Sequence, residues 1–332
     1  MINVNPFQPD HQQQVGDACF PLALRCDTAG IDVDQASQWI VAQREELDRL
    51  ANLHGAILFR DFPLRTPEDF DRFVSAFAFP NFKYEESLSN AVRIVRTPRV
   101  FSANEAPAEV TIYLHHEMAQ TPIYPSKLLF FCEVAAETGG ATPICRSDLL
   151  YEELRTQAPE FIADCEAKGL RYTNVMPNAD DAASGMGRSW QSTLRVTDRA
   201  AAEAQLSKLG YRWAWLEDGC LQATTGVLPA VRDLGDGRKS FFNQLIAASQ
   251  GWKDARNDPS KAITFGDGSR LDAGAVRLAA NLAEALTFDI VWHPGDVAMV
   301  DNYVAMHARR TFTGKRKVWA SLVAGESILN SD

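Results

Sequence analysis

Two histidines and a glutamate carry the strongest chemical signal in this chain. His115 and Glu117 lie close together in Val110-Thr111-Ile112-Tyr113-Leu114-His115-His116-Glu117. In an extended segment side chains alternate between faces, so His115 and Glu117 project together, while His116 points away with Leu114 and Ile112. An imidazole and a carboxylate placed this way can take two neighbouring positions on one metal ion. A second histidine completes a 2-His-1-carboxylate set that leaves coordination sites open for reactants. The segment from Pro294 to Arg310 supplies it, because a Pro-Gly turn and an apolar strand deliver His307. A His-x-Glu tripeptide alone is more often a local hydrogen bond at a strand end, and the distant His307 is what raises the metal reading above that. Among the remaining histidines, His293 beside the Pro-Gly turn is the rival ligand.

The elements that must position these residues are mostly strands. Asp34 to Leu53 has helical periodicity, GAILFRDF from Gly55 is an apolar strand, and Thr66-Pro67-Glu68-Asp69 opens a second helix with a capping residue, a proline and two acids in its first turn. From about Val110 onward, KLLFFCEV, RYTNV, YRWAW, FFNQLI, FDIVWH, DVAMVDN and KVWASLV read as strands, and the stretches from Ser147 to Gly169 and from Ala273 to Phe288 read as helices. Many short strands with a few peripheral helices predict a mostly β chain of the α+β kind built on a jelly-roll barrel. No GxGxxG or GxxxxGK[ST] opens a helix, so nucleotide-binding folds lose their main support.

His115-x-Glu117, the distant His307 and a downstream basic strand resemble the iron(II)- and 2-oxoglutarate-dependent dioxygenases of the taurine dioxygenase (TauD/TfdA) family. Within it the likeness is to clavaminate-synthase-like proteins. It runs in order through GAILFRDFP, VFSANEAP, LHHEMAQ, YPSKLLFFCE, GGATPI, GRSWQST, GWKDARNDPSKAITFGDG and DNYVAMHARRTFTGKRKVWASL. The resemblance implies a double-stranded β-helix of the cupin-like kind, with Fe(II) on His115, Glu117 and His307 and with 2-oxoglutarate and O2 as cosubstrates. It also implies an arginine and a hydroxyl for the distal carboxylate of 2-oxoglutarate. Arginine suits this task because its planar fork pairs bidentately with a carboxylate and stays charged when buried. The family's motif places that arginine at Arg316, at the start of the final strand, with Arg309 in reserve as either a ligand or a surface ion pair. The hydroxyl falls on Thr142 of Gly139-Gly140-Ala141-Thr142-Pro143.

Further residues carry weaker expectations. Gln120 is placed to meet bound water or substrate, or else lies in a solvated loop. Asn302 either orients the site or satisfies turn backbone. Arg188 follows DDAASGMG, a stretch with the composition of a lid, and is a candidate for a substrate carboxylate. Trp190, Trp213, Trp215, Trp252, Trp292 and Trp319 are read as core. Because Glu117 occupies the position that halogenating relatives leave small, hydroxylation, desaturation, epoxidation or cyclisation is expected and chlorination is not. The resemblance points to an amino acid, an amino-acid derivative or an aminoacyl group on a carrier protein as substrate, in natural-product biosynthesis. Two other readings stay open: a non-catalytic jelly-roll binding module, and a zinc hydrolase using the same three residues, although the chain lacks HExxH.

Composition bounds all of this. A chain of 332 residues with 46% hydrophobic residues buries a real core, and no Pro/Gly/Ser-rich linker divides it. One domain, 1–332, is expected, with an α/β portion over 1–100 and a jelly-roll core over 101–332 that carries a helical and lid insertion around 147–290. Lys and Arg total 33 against 43 Asp and Glu, so the net charge of −10 argues against nucleic acid and anionic membranes as partners. No apolar run approaches the length of a membrane span, and the polar start lacks a secretory signal. The six cysteines form no CxxC pair or ladder and read as reduced and mostly buried, in keeping with a cytoplasmic protein.

Overall fold

Strand Ile123–Val134 is the spine of the molecule. It lies between Val297–Asp301 and Lys317–Ser327, antiparallel to both. Its alternating side chains are buried on both faces. Leu128, Phe130 and Cys132 point into one core, whereas Leu129 and Phe131 point into another. This two-sided burial explains why the segment reads as an unbroken apolar run. The structure, a computed structural model, describes residues 2–330 apart from 90, 182 and 185.

The spine belongs to a seven-stranded sheet that runs, in order, through Val4–Pro6, Leu22–Cys26, Ala56–Arg60, Val297–Asp301, Ile123–Val134, Lys317–Ser327 and Phe101–Ser102. Its outer face is covered by helices Val33–His54 and Pro67–Ser75, which contribute Ile40, Leu47, Phe70 and Phe73 to the core shared with Leu129 and Phe131. Both helices begin with capping boxes, at Asp32 with Gln35 and at Thr66 with Asp69. Each cap satisfies backbone N–H groups that the helix itself leaves unpaired, a contribution of about 1 kcal/mol. Strands Leu22–Cys26 and Ala56–Arg60 pair in parallel across the first helix. The expected N-terminal α/β portion is therefore continuous with the main sheet.

The inner face packs on a second sheet ordered Thr287–Ile290, Thr142–Arg146, Ala305–Arg309 and Ile112–His115. Ile144, Phe288 and Ile290 from this sheet meet Leu128 and Phe130 from the first. Two largely antiparallel sheets closing on one core make the jelly roll, and the second sheet carries both histidines of the site. The insertion also holds a four-stranded sheet of its own, Arg212–Trp215, Leu221–Thr224, Leu170–Met176 and Ile263–Phe265. It is thus not only helix and lid, and it ends before Thr287, where the chain rejoins the jelly roll.

Two local expectations need correction. The helical stretch from Ser147 is two helices, Ser147–Gln157 and Pro159–Lys168, because Pro159 starts a new first turn. The segment Phe241–Ile246, read as a strand, is an irregular stretch leading into helix Leu245–Gly251. Its Asn243 donates to the Ala230 carbonyl and accepts from Leu245 N–H, which turns the chain into the helix. Of the DDAASGMG stretch, Ala182 and Gly185 lie outside the described residues.

Candidate active site

His307 lies directly opposite His115 on neighbouring antiparallel strands, and the pairing shifts register just beyond His307. The two imidazole centroids are 4.2 Å apart. Glu117 comes from the turn after the strand rather than from the strand itself, where Met118 adopts a positive φ of 60°. Asn302 sets this turn. Its Oδ1 accepts from Glu117 N–H at 2.8 Å, and its Nδ2 donates to the carbonyls of Glu117 at 3.0 Å and Pro125 at 2.8 Å. Of the two roles considered for Asn302, its side chain satisfies turn backbone, and the turn it satisfies is the one that carries Glu117.

His116 points away from the cluster, as alternation requires. It is fully buried, with Nδ1 donating to the Asn302 carbonyl and Nε2 2.7 Å from Ser147 Oγ. Gln244 donates to its carbonyl at 3.0 Å, and the Asn243 carbonyl accepts its N–H. The misread segment around Asn243 is therefore a brace for the His115–Glu117 turn.

The facing atoms converge. Glu117 Oε2 is 3.9 Å from His115 Nε2 and 3.5 Å from His307 Nε2, and one ligand atom from each residue lies within 4.8 Å of the others. His115 Nδ1 donates to the Tyr113 carbonyl at 2.7 Å, so the proton sits on Nδ1 and the Nε2 lone pair faces Glu117. Burial, with His307 beside it, pushes His115 down to about 3, and burial pushes His116 down to about 3 as well. For Glu117, burial acts to raise the pKa. The Arg93 guanidinium and His307 outweigh it and hold the carboxyl well below the usual range. Neutral imidazole facing ionised carboxylate is the protonation state a divalent metal requires, and this nitrogen and oxygen donor set suits a first-row transition ion. His293 is exposed and has no place in the cluster.

A small pocket of about 40 Å³ opens beside His115 and His307 and is lined by Phe130, Thr142, Arg309 and Arg316. Arg316 Nε donates to the Gly140 carbonyl at 2.9 Å and its Nη2 lies 3.4 Å from Thr142 Oγ1. Trp292 Nε1 donates to the same hydroxyl at 2.9 Å. A Cβ at Gly140, which has φ +71°, would stand 3.1 Å from Arg316 Cδ, so this glycine permits the close approach. Burial and the neighbouring Arg309 push Arg316 down to about 10, and no carboxylate forms an ion pair with it among the described residues. A half-buried guanidinium without a counter-ion is a site for an anion.

Arg309, the reserve candidate, does a different job. Its guanidinium donates to the carbonyls of Ala106, Pro107 and Val110 at 2.6–2.9 Å, which ties the 106–110 loop to the strand. Arg188 is corrected in the same way. Its donors go to the carbonyls of Glu85, Ser87, Ser89 and Ser192 and to Ser192 Oγ, and it does not line the cavity where a substrate would sit.

That cavity, about 380 Å³, lies on the other side of the cluster and is lined by Arg93, Tyr113, His115, Glu117, Gln120 and Trp252, among others. The Gln120 side-chain oxygen in its wall is buried and has no partner. Arg256 bridges Asp181 and Asp254, and Ser184 donates to Asp254, so the 181–184 and 254–256 segments are latched together at the rim. Sequence reasoning missed Arg93, which donates to both Glu117 oxygens, along with the roles of Trp252 in the wall and Trp292 on Thr142. No spacing rule connects Arg93 to Glu117. For Trp252 its place in GWKD was the available signal, whereas Trp292 lies 150 residues from Thr142 and nothing local announced their contact.

A jelly roll that gathers two histidines and a carboxylate at the mouth of its core, beside a half-buried arginine without a carboxylate partner, has the architecture of non-haem iron(II)- and 2-oxoglutarate-dependent dioxygenases. Residues 18–322 match the family described as taurine catabolism dioxygenase TauD, TfdA family. The chain is 40% identical over 309 residues to a clavaminate synthase-like protein of Arabidopsis thaliana, covering 91% of this chain and 93% of that one. It is 30% identical over 295 residues to the dapdiamide synthesis protein DdaC of Enterobacter agglomerans, covering 83% and 84% respectively. PvcB of Pseudomonas aeruginosa shares the fold, with a TM-score of 0.55 over 97% of this chain and 91% of PvcB at 15% identity. PvcB is described as an Fe, α-ketoglutarate dependent oxygenase from an isonitrile synthetic pathway. The chain belongs to the TauD/TfdA family of dioxygenases, enzymes that use iron(II), 2-oxoglutarate and O2. The zinc-hydrolase and non-catalytic readings give way to this assignment. Among the described residues no helix is long and apolar enough to cross a membrane.

Proposed function

We propose that His115, Glu117 and His307 hold Fe(II), that Arg316 and Thr142 bind the distal carboxylate of 2-oxoglutarate, and that the larger cavity binds an amino acid or amino-acid derivative for oxidation at an unactivated C–H bond. The convergence of three ligand atoms between two cavities, one of them ending in an uncompensated arginine, carries this reading. When bound, iron and 2-oxoglutarate supply oxidative decarboxylation to succinate and CO2, with the second oxygen atom of O2 available to the substrate. The chain's own contribution is to position. Asn302 and the Tyr113 carbonyl fix the donor atoms.

Because Glu117 fills the carboxylate position, chlorination is not expected; hydroxylation is the first expectation, with desaturation, epoxidation and cyclisation as its alternatives. DdaC and PvcB, both named for natural-product synthesis, support an amino-acid-derived substrate in such a pathway, free or presented on a carrier protein. All six cysteines are free and five are buried, which supports a reducing compartment such as the cytoplasm. Anaerobic titration with Fe(II) and 2-oxoglutarate tests the site. A weak visible charge-transfer band should appear only with both additions and vanish in His307→Ala. Its absence from folded, metal-loaded protein would sink the assignment. For the substrate class, substrate-dependent succinate from a panel of free and carrier-loaded amino acids is the expected result.

A further inference from the structure

Arg93 is the charged group at the site that the proposed reaction leaves without a task. Its side chain is only 7% exposed, yet it lines both cavities beside the cluster. One terminal nitrogen donates to both Glu117 oxygens, at 3.1 and 3.3 Å, while its Nε is buried and has no partner. The guanidinium carbon stands 4.7 Å from the centre of the Tyr84 ring and 5.4 Å from that of Phe101. These aromatic contacts favour the cation and hold its plane, so that its N–H edge is presented in a fixed orientation. Nearby buried arginines differ: Arg188 and Arg309 are committed to backbone carbonyls, and neither pins a cluster carboxylate.

The other charged groups lining the larger cavity lie at its rim, away from ion-pair contact with Arg93. Asp181 and Asp254 share the single guanidinium of Arg256, which leaves one negative charge there beside the exposed Lys253. Glu117 is the one carboxylate in ion-pair contact with Arg93 among the described residues. Once Glu117 ligates a divalent ion, its negative charge is shared with that ion. The guanidinium then borders the cavity as a buried cation, next to a second positive centre. An ammonium group brought to this wall meets repulsion from both, whereas a carboxylate meets attraction from both.

We infer that Arg93 anchors an anionic carboxylate of the primary substrate, so that the substrate presents a free carboxylate, not an ammonium group or a thioester, to the metal-facing wall of the larger cavity. This rests on the iron and 2-oxoglutarate reading of the site and narrows its substrate class. Thermal shift of the Mn(II)- and 2-oxoglutarate-loaded protein tests it without turnover. The ligands are the proteinogenic amino acids and their N-acetyl derivatives, each as free acid, carboxamide and methyl ester. At least one free acid should raise the melting temperature of the wild type while its carboxamide and ester do not.

Arg93→Gln should lose that response by at least tenfold in ligand concentration, and Arg93→Lys should recover part of it. Arg93→Gln should also bind Mn(II) several-fold more tightly, since a cation competing for Glu117 is gone. A merely structural arginine would instead lower the melting temperature and weaken metal and 2-oxoglutarate binding together. Equal shifts by acids and carboxamides, no shift by any acid, or an unchanged preference in Arg93→Gln would each overturn the proposal. Failure of the wild type to bind Mn(II) and 2-oxoglutarate would overturn the underlying reading of the site instead.

Discussion

The two cavities that meet at His115, Glu117 and His307 are built from different parts of the chain. The smaller one is lined largely from sheet strands, with Phe130, Thr142, His307 and Val318 on ladders and Arg316 at a strand's first step. The larger one is lined by connections, which supply Ala91, Arg93, Asn104, Pro107, Ser184 and Met186 among others, and by helix Leu245–Gly251 and the turn after it. Ladder hydrogen bonds and two-sided burial hold the first rigid. The second depends on side-chain latches such as Asp181–Arg256–Asp254. On the proposed assignment of the two cavities, the fold keeps the binding of a constant cosubstrate on its scaffold and leaves recognition of the variable substrate to loops that can change without unmaking the sheets.

Replacement of Arg316 breaks this division most sharply if the division is wrong. Arg316→Met should raise the KM for 2-oxoglutarate by about 100-fold or more, corresponding to about 3 kcal/mol for a buried charge-assisted pair, with Mn(II) binding and the melting temperature nearly unchanged. A comparable loss of substrate affinity would show that the two cavities are not separable. Steady-state kinetics with 2-oxoglutarate and substrate varied in turn reads both effects.

Acid titration probes the wall between them. His115 and His116 have folded-state values near 3, below the ordinary imidazole value of about 6.5, so the unfolded chain binds more protons between those limits. Stability that is fully present above about pH 6.5 is then lost as pH falls toward 3, at up to about 1.4 kcal/mol per pH unit for each histidine. Urea melts of the metal-free protein from pH 7 to pH 4 should show this slope, and His116→Asn should reduce it. A flat profile would mean that the imidazoles are not buried neutral.

The smallest effect belongs to the loop-built side. Arg256→Gln removes a partly exposed latch, costs at most about 1 kcal/mol of stability, and should raise substrate KM a few-fold while leaving the KM for 2-oxoglutarate alone. Faster hydrogen exchange confined to the 181–186 and 251–258 segments would accompany it. Exchange that also rose in Thr142–Arg146 would blur the contrast between the two cavities.

Much of the site was legible before any fold was known, for local reasons. Alternation along Ile112–His115 separates His115 from His116. The Gly-Gly-Ala-Thr turn places Thr142 at the head of a strand, and the apolar runs mark strands buried on both faces. The likeness to a known family added the pairing of distant segments, His307 with His115 and Arg316 with Thr142. Where the reading failed, the deciding partner was remote. FFNQLI has strand composition, but the capping side chain of Asn243 and its contact with Ala230 bend it into a brace.

What the sequence by itself determined is the inventory and spacing of the donors: two histidines, one carboxylate, a hydroxyl and a set of arginines on or near apolar strands. Tertiary structure alone decided the work of each arginine. Arg188, Arg309 and Arg316 look equivalent as residues, yet Arg188 and Arg309 each spend their donors on several backbone carbonyls, while Arg316 gives only its Nε to one, at Gly140, and borders the small pocket beside Thr142. Arg93 reaches Glu117 across 24 residues with no pattern to announce it. Local conformation follows from neighbours in the chain, whereas the availability of a buried charge depends on which distant backbone groups the fold brings within hydrogen-bonding distance of it.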